Sequence, residues 1–295
     1  MPDISAEILE NNFQPDVLKQ LLCDHTTHRN IFWATHDYEY LGKGYQYADP
    51  ILPTSITGEH GFIVKPRVLK SKEQQTDRSK EMAEVFTPSW LCNAQNNLVD
   101  EALPNDMKWQ DYVRLTCLEI TCGEAPYLVS RYDATTGEHI SINQRVGLLD
   151  RKLRVVSDNT DNPKKWLEWA EVAFKNTYGY EWQGDSLLLA RKALLLTFIE
   201  YYHAKFGEVP AHEYVLRIAE VVSWNLWQMD GLKGVVPDSC RTQTLISGGM
   251  FEEQTKTVIE CPGCKNDDIH HHNGKYCRIR DWETNKEIRY VGLIK

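Results

Sequence analysis

The chain has 295 residues, a formal net charge of −9, 42% hydrophobic residues and 25% charged ones. That composition supports one large α/β domain or two modest ones and excludes global disorder. It argues against a surface that grips nucleic acid all over, because phosphate contact needs Lys and Arg gathered in one place.

No run of 18 uncharged apolar residues occurs. The strongest apolar run, Leu187 to Ile199, is interrupted by Arg191 and Lys192, so no membrane span is expected. The opening residues Met1 to Glu7 carry neither the basic nor the apolar stretch of a secretory signal, and the expectation is a cytoplasmic chain. There, eight cysteines read as free thiols or metal ligands rather than as a disulfide framework.

Residues 1–80 read as an N-terminal extension. Val17, Leu18, Leu21 and Leu22 have helical spacing after Pro15, and a basic segment carries Lys65, Arg67, Lys70, Lys72, Arg78 and Lys80. The bland reading of that segment is a solvated loop and helix face; the functional one is contact with a nucleic-acid backbone. Phe86-Thr87-Pro88-Ser89-Trp90 reads as a turn into a helix through Leu91, Ala94, Leu98 and Val99, with Thr87 as N-cap and Pro88 in the first turn.

Tyr112 to Cys122 reads as a strand ending in the turn at Gly123. After a polar loop at 157–163 come a helix at Trp166 to Phe174 and a strand at Tyr178 to Glu181. A long helix from Asp185 to His203 follows, with apolar residues most of the way round, then a helix and a short strand within Tyr214 to Trp227. Strands alternating with helices define an α/β class.

Three acidic positions stand at strand ends. Glu119 precedes the Thr121-Cys122-Gly123 turn, where glycine permits close backbone approach to a ligand. Glu181, followed by Trp182, ends the next strand, where one carboxylate can accept hydrogen bonds from both hydroxyls of a ribose. Asp230 ends the third strand before Gly231, a position suited to the adenine edge or the adjacent pocket wall.

In order, Phe86-Thr87-Pro88, Cys122-Gly123-Glu124-Ala125-Pro126-Tyr127-Leu128, Tyr178-Gly179-Tyr180-Glu181 and Asn225 to Leu232 resemble four motifs of the adenine-N6 DNA methylases of restriction–modification systems, including proteins described as restriction endonuclease subunit M. The resemblance covers residues 81–235. It implies a Rossmann-like S-adenosylmethionine-dependent methyltransferase core there, with the extension 1–80 before it and a small Cys/His-containing segment, 236–295, after it. It also implies S-adenosylmethionine held by Phe86, Thr87, Pro88, Glu119, Thr121, Cys122, Gly123, Glu181, Trp182 and Asp230, and DNA and a restriction–modification subunit as partners.

Two departures accompany it. Glu124 and Pro126 replace small residues, setting a carboxylate near the expected place of the cofactor's own unless Glu124 points away. The family's Asn/Asp-Pro-Pro-Tyr/Phe motif, which binds the target amino group and stacks on a flipped-out base, is missing after Asp230. No catalytic residue is therefore assigned. The chain is read either as a methyltransferase with another local arrangement or as a non-catalytic, partner-dependent subunit.

Near the end, Cys261-Pro-Gly-Cys264, the histidines 270–272 and Cys277 have the spacing of a tetrahedral structural zinc site. The expected ligands are Cys261, Cys264, Cys277 and one histidine, His272 or His270. Cys23, Cys92, Cys117, Cys122 and Cys240 are scattered and read as small buried hydrophobes. Trp224, Trp227 and Trp282 read as core rather than as base-stacking residues. Asp24-His25-x-x-His28 lacks the second carboxylate cluster a metal or nuclease site needs.

Overall fold

Val17, Leu18, Leu21 and Leu22 form the buried face of helix α1 (Pro15–Leu22) in the computed structural model, which describes residues 14–81, 87–247 and 255–294. A short antiparallel pair, β1 (Cys23–Asp24) and β2 (Arg29–Asn30), follows. The basic segment contains helix α2 (Lys72–Glu81), and the expected helix at 91–99 is α3 (Ser89–Glu101). Thr87 is not its cap. Pro88 holds the N-cap position without a side-chain bond, and the Asp133 carboxylate accepts Ser89 N–H and Oγ–H, each at 2.7 Å.

The stretch expected as one strand from Tyr112 to Cys122 is divided between helix α4 (Trp109–Arg114) and strand β3 (Cys117–Glu119). Trp109 packs against Trp169 with the rings tilted and their centroids 4.6 Å apart, and Val113 is fully buried, so this stretch gains more by packing a helical face than by extending the sheet. Next come α5 (Leu148–Asn159), α6 (Pro163–Lys175), β4 (Thr177–Glu181), α7 (Gly184–Phe206), α8 (His212–Asn225) and β5 (Leu226–Gln228). Strands β3, β4 and β5 form one parallel sheet in that order, pairing Cys117 with Thr177 and Gly179 with Leu226. The chain is thus a mixed α/β protein. Parallel neighbours require crossovers, and α5–α6 and α7–α8 supply them.

Helix α7 is the spine. Leu187, Leu188, Leu194, Leu195 and Phe198 are buried, and it packs on α8, α5, β4 and β5. Its start is pressed against the N-terminal extension: Gly184 N–H donates to Trp33 O at 3.0 Å, and a Cβ on Gly184 would lie 2.0 Å from Phe32 O. The charges that interrupt its apolar run are buried as well. The Arg191 guanidinium donates to the carbonyls of Leu21, Cys23, Ser223 and Leu226, tying α1, α8 and β5 together.

Beyond the sheet, β6 (Gln243–Ser247) and β7 (Thr255–Ile259) form an antiparallel ribbon, followed by helix α9 (Pro262–Asn266). The hairpin β8 (Arg278–Asp281) and β9 (Lys286–Arg289) follows, and a 3-10 turn at Tyr290–Leu293 lies near the end of the described chain. Tyr180, Trp227, Met229, Val236, Cys277 and Ile279 form a small second core that attaches this C-terminal segment to β4 and β5. None of the described helices is long and apolar enough to cross a membrane.

Candidate functional site

The carboxyl ends of parallel strands are where open α/β sheets bind ligands, and Glu119, Cys122, Gly123 and Glu181 converge there. Leaving β3, the chain takes left-handed backbone at Thr121 (φ 46°), Gly123 (φ 55°) and Ala125 (φ 62°). Strain of this kind in two non-glycine residues marks a turn fixed by its surroundings. Gly123 N–H donates to Glu181 Oε2 at 2.8 Å, Cys122 N–H donates to Tyr180 O at 2.8 Å, and the other Glu181 oxygen accepts the amides of Trp182 and Gln183. The half-buried Glu119 carboxylate accepts the amides of Tyr127 at 3.3 Å and Leu128 at 3.2 Å. Burial pushes its carboxyl up to about 8; those two amides pull against the rise and the Glu181 charge adds to it.

Thr121 is exposed and bonds only to Ile120 O among the side-chain contacts described. Thr87 and Pro88 lead into α3, whose Cys92 thiol is pushed up to about 12 by burial and by the charges of Glu119 and Asp133, setting this helix beside the same strand end. Phe86 lies outside the described residues. Glu124 points inward: its carboxylate accepts Arg67 N–H at 2.7 Å and the Tyr132 hydroxyl, so it is used by the fold.

The basic segment is largely turned inward too. Lys70 and Arg78 are buried on Asp185, with Nζ 3.1 Å and Nη1 3.0 Å from Oδ2, and Arg67 bonds to Ser79 and Gln75 O. Three of the six cations considered for a phosphate backbone are thereby occupied within the protein. Asp24 accepts the amides of Thr26 and Thr27 in its own turn, and His25 stacks on Trp224 at 3.8 Å, so these two side chains serve the fold.

The Asp230 carboxylate closes the turn after β5, accepting the amides of Leu232 at 3.0 Å and Lys233 at 3.2 Å and pairing with Lys233 Nζ at 3.0 Å. Gly231 is required here, since a Cβ would lie 2.6 Å from the Tyr180 ring. This turn and the Cys/His segment line an open cavity of about 420 Å³, bordered by Asp230, Lys233, Val235, Cys240, Cys261 and Cys264.

Those three cysteines and His272 form a candidate metal-binding group, with their ligand atoms all within 4.8 Å of one another. His272 Nδ1 lies 3.6, 3.5 and 3.6 Å from the sulfurs of Cys240, Cys261 and Cys264. A tetrahedron with Zn–S near 2.3 Å and Zn–N near 2.0–2.1 Å has S···N edges of about 3.5–3.6 Å, so this group fits a metal of that size. Asn273 N–H donates to Cys261 Sγ at 3.2 Å, a bond that would hold a thiolate in orientation. Burial works against ionisation of Cys261, but the amides of Asn273 and Cys264, with His272 and Cys240, bring its thiol down to about 6.

Cys277, expected as a ligand, is outside the group. It is fully buried in the second core, and its thiol faces Gln228 O at 3.4 Å. Cys240 stands in its place, and of the two candidate histidines His272 is the one in the group. The ribbon β6–β7 separates Cys240 from Cys261 in sequence, and strand pairing brings them back together. A spacing-based reading finds the compact Cys-x2-Cys and misses a ligand contributed across a hairpin; the hairpin-length interval between the two cysteines was the available signal.

Comparison with protein-family models, with curated proteins and with solved structures gave no match to this chain.

Proposed function

We propose that this chain binds S-adenosylmethionine at the carboxyl end of its parallel sheet and is a DNA adenine-N6 methyltransferase-like protein of a restriction–modification or related defence system. The observation that supports this most is the convergence of Glu119, Gly123 and Glu181 on one turn, with Gly123 N–H 2.8 Å from the Glu181 carboxylate. On this reading Glu181 receives the ribose hydroxyls, and Cys122 and Gly123 bring the backbone close to the cofactor. Thr87, Pro88, Thr121, Trp182 and Asp230 border the site. The group at Cys240, Cys261, Cys264 and His272 holds zinc in a structural role, since four protein ligands close the coordination sphere.

The reading is tested by titrating S-adenosylmethionine into the folded chain and into Glu181→Ala. The variant is expected to bind more weakly by roughly 1.5–3 kcal/mol, the range for a hydrogen bond to a charged group. Equal affinity removes the ribose role from Glu181.

The missing Asn-Pro-Pro-Tyr motif favours a second reading, a cofactor-binding subunit that transfers no methyl group without a partner. Incubation with methyl-labelled S-adenosylmethionine and adenine-containing duplex DNA separates the two. Label in adenine identifies a self-sufficient enzyme; intact cofactor binding without label identifies the subunit.

A further inference from the structure

We propose that the metal centre assembles the ligand cavity at the end of β5, so that metal occupancy governs the order of the Asp230 turn and the affinity of whatever binds beside it. The ligand part rests on the S-adenosylmethionine reading above; the ordering part does not.

Two physical routes lead from the metal ligands to the cavity. The first starts at His272, whose N–H donates to the Tyr276 hydroxyl at 2.8 Å, while that hydroxyl donates to Ile269 O at 3.0 Å. Tyr276 pairs with Val235, and Val235 with Asp230. The bonds Val236 N–H to Lys275 O at 2.8 Å, Cys277 N–H to Gly234 O at 3.0 Å and Asp230 N–H to Val235 O at 2.8 Å complete the seam.

The second route starts at Cys240. Next to it, Ser239 Oγ accepts Lys275 N–H at 2.9 Å, and one residue further back the Asp238 carboxylate accepts the Tyr47 hydroxyl at 2.5 Å. Tyr47 in turn accepts the Trp182 indole N–H at 3.1 Å. One metal ion thus braces both Asp230 and Trp182, which face the end of the sheet from different strands.

A structural metal site is seldom formed without its ion, because binding and local folding are one event. The ribbon reinforces this. Cys240 and Cys261 flank its base, it pairs with no other strand among the described residues, and Val258 and Ile259 on it are exposed. An isolated two-stranded hairpin is marginal in water, so a clip across its base decides whether it holds. Removing the ion releases the ribbon and loosens the seam that carries the Asp230 turn.

The test compares the full chain loaded with zinc, stripped by a chelator and reloaded. Amide hydrogen exchange and S-adenosylmethionine affinity are measured on each form. Exchange at Asp230, Val236 and Cys277 is expected to rise on stripping and to recover on reloading, while amides of α7 stay protected. S-adenosylmethionine affinity is expected to fall by roughly 5- to 150-fold, the usual range of coupling between two sites. Unchanged exchange at these three amides overturns the proposal, whatever the affinity does. Exchange that follows zinc, with no S-adenosylmethionine binding in any form, upholds the metal's ordering of the turn and discards the cofactor reading instead.

Discussion

Single residues carry the clearest departures from what the sequence offers. Cys240 and Cys277 exchanged roles because sequence distance reports spatial distance only inside one turn, and a hairpin stands between Cys240 and Cys261. Cys240→Ser is therefore expected to abolish stoichiometric zinc binding, measured by metal analysis of the purified chain. Cys277→Ser is expected to retain it, with some loss of stability from its buried site. Loss of zinc in Cys277→Ser together with retention in Cys240→Ser contradicts this assignment. Glu119 gives a pH signature. Its folded-state carboxyl is raised from an ordinary 4.5 to about 8, so between those values the native state holds a proton that the unfolded chain has released. Stability conferred at low pH is lost as pH rises through this window, by up to about 1.4 kcal/mol per pH unit, and levels off above it. Glu119→Gln should flatten that slope in urea midpoints taken across the window; an unchanged slope assigns it to other groups.

At the level of elements, the long helix was legible because apolar residues round its whole circumference admit only burial, and α7 is buried nearly throughout. The strands β4 and β5 were legible as short aromatic and apolar runs beside helices. Helix α5 was not anticipated, although Leu149, Leu153 and Val156 form its buried face, because charged residues between them dilute the pattern. The basic segment was legible as charge and misleading as surface, since burial of Lys70 and Arg78 depends on Asp185, more than a hundred residues away in sequence. Asp185 starts α7 and also accepts the Tyr38 hydroxyl at 2.9 Å. Lys70 and Arg78 hold its carboxyl below the usual range in spite of burial. Asp185→Ala removes the carboxylate that faces buried Lys70 and one of the two that face Arg78, which keeps Asp37, and a cost of about 3–5 kcal/mol in urea unfolding is expected. A change below about 1 kcal/mol indicates that the cluster is solvated and does not hold the extension to α7.

Across the whole molecule, the segments read from sequence as extension, core and Cys/His tail are joined by side chains that no local pattern announces. Arg280 lies over Trp224 at 5.6 Å and over Trp282 at 4.9 Å, and Trp282 donates to Asn225 Oδ1 at 2.8 Å, fastening the terminal hairpin to the junction of α8 and β5. At the other end of β5, Val235 and Tyr276 fasten the Cys/His segment to the Asp230 turn. Most of the sheet follows from period and propensity, whereas these attachments depend on partners far apart in sequence, which is why the turn at Gly123 was legible and the Cys/His group beside the Asp230 turn was only half so. The most direct test of cofactor binding is calorimetric titration of the folded, zinc-loaded chain with S-adenosylmethionine. Saturable binding with a dissociation constant on the order of micromolar, about −8 kcal/mol, is the expected result; a folded, zinc-loaded chain that shows no binding contradicts it.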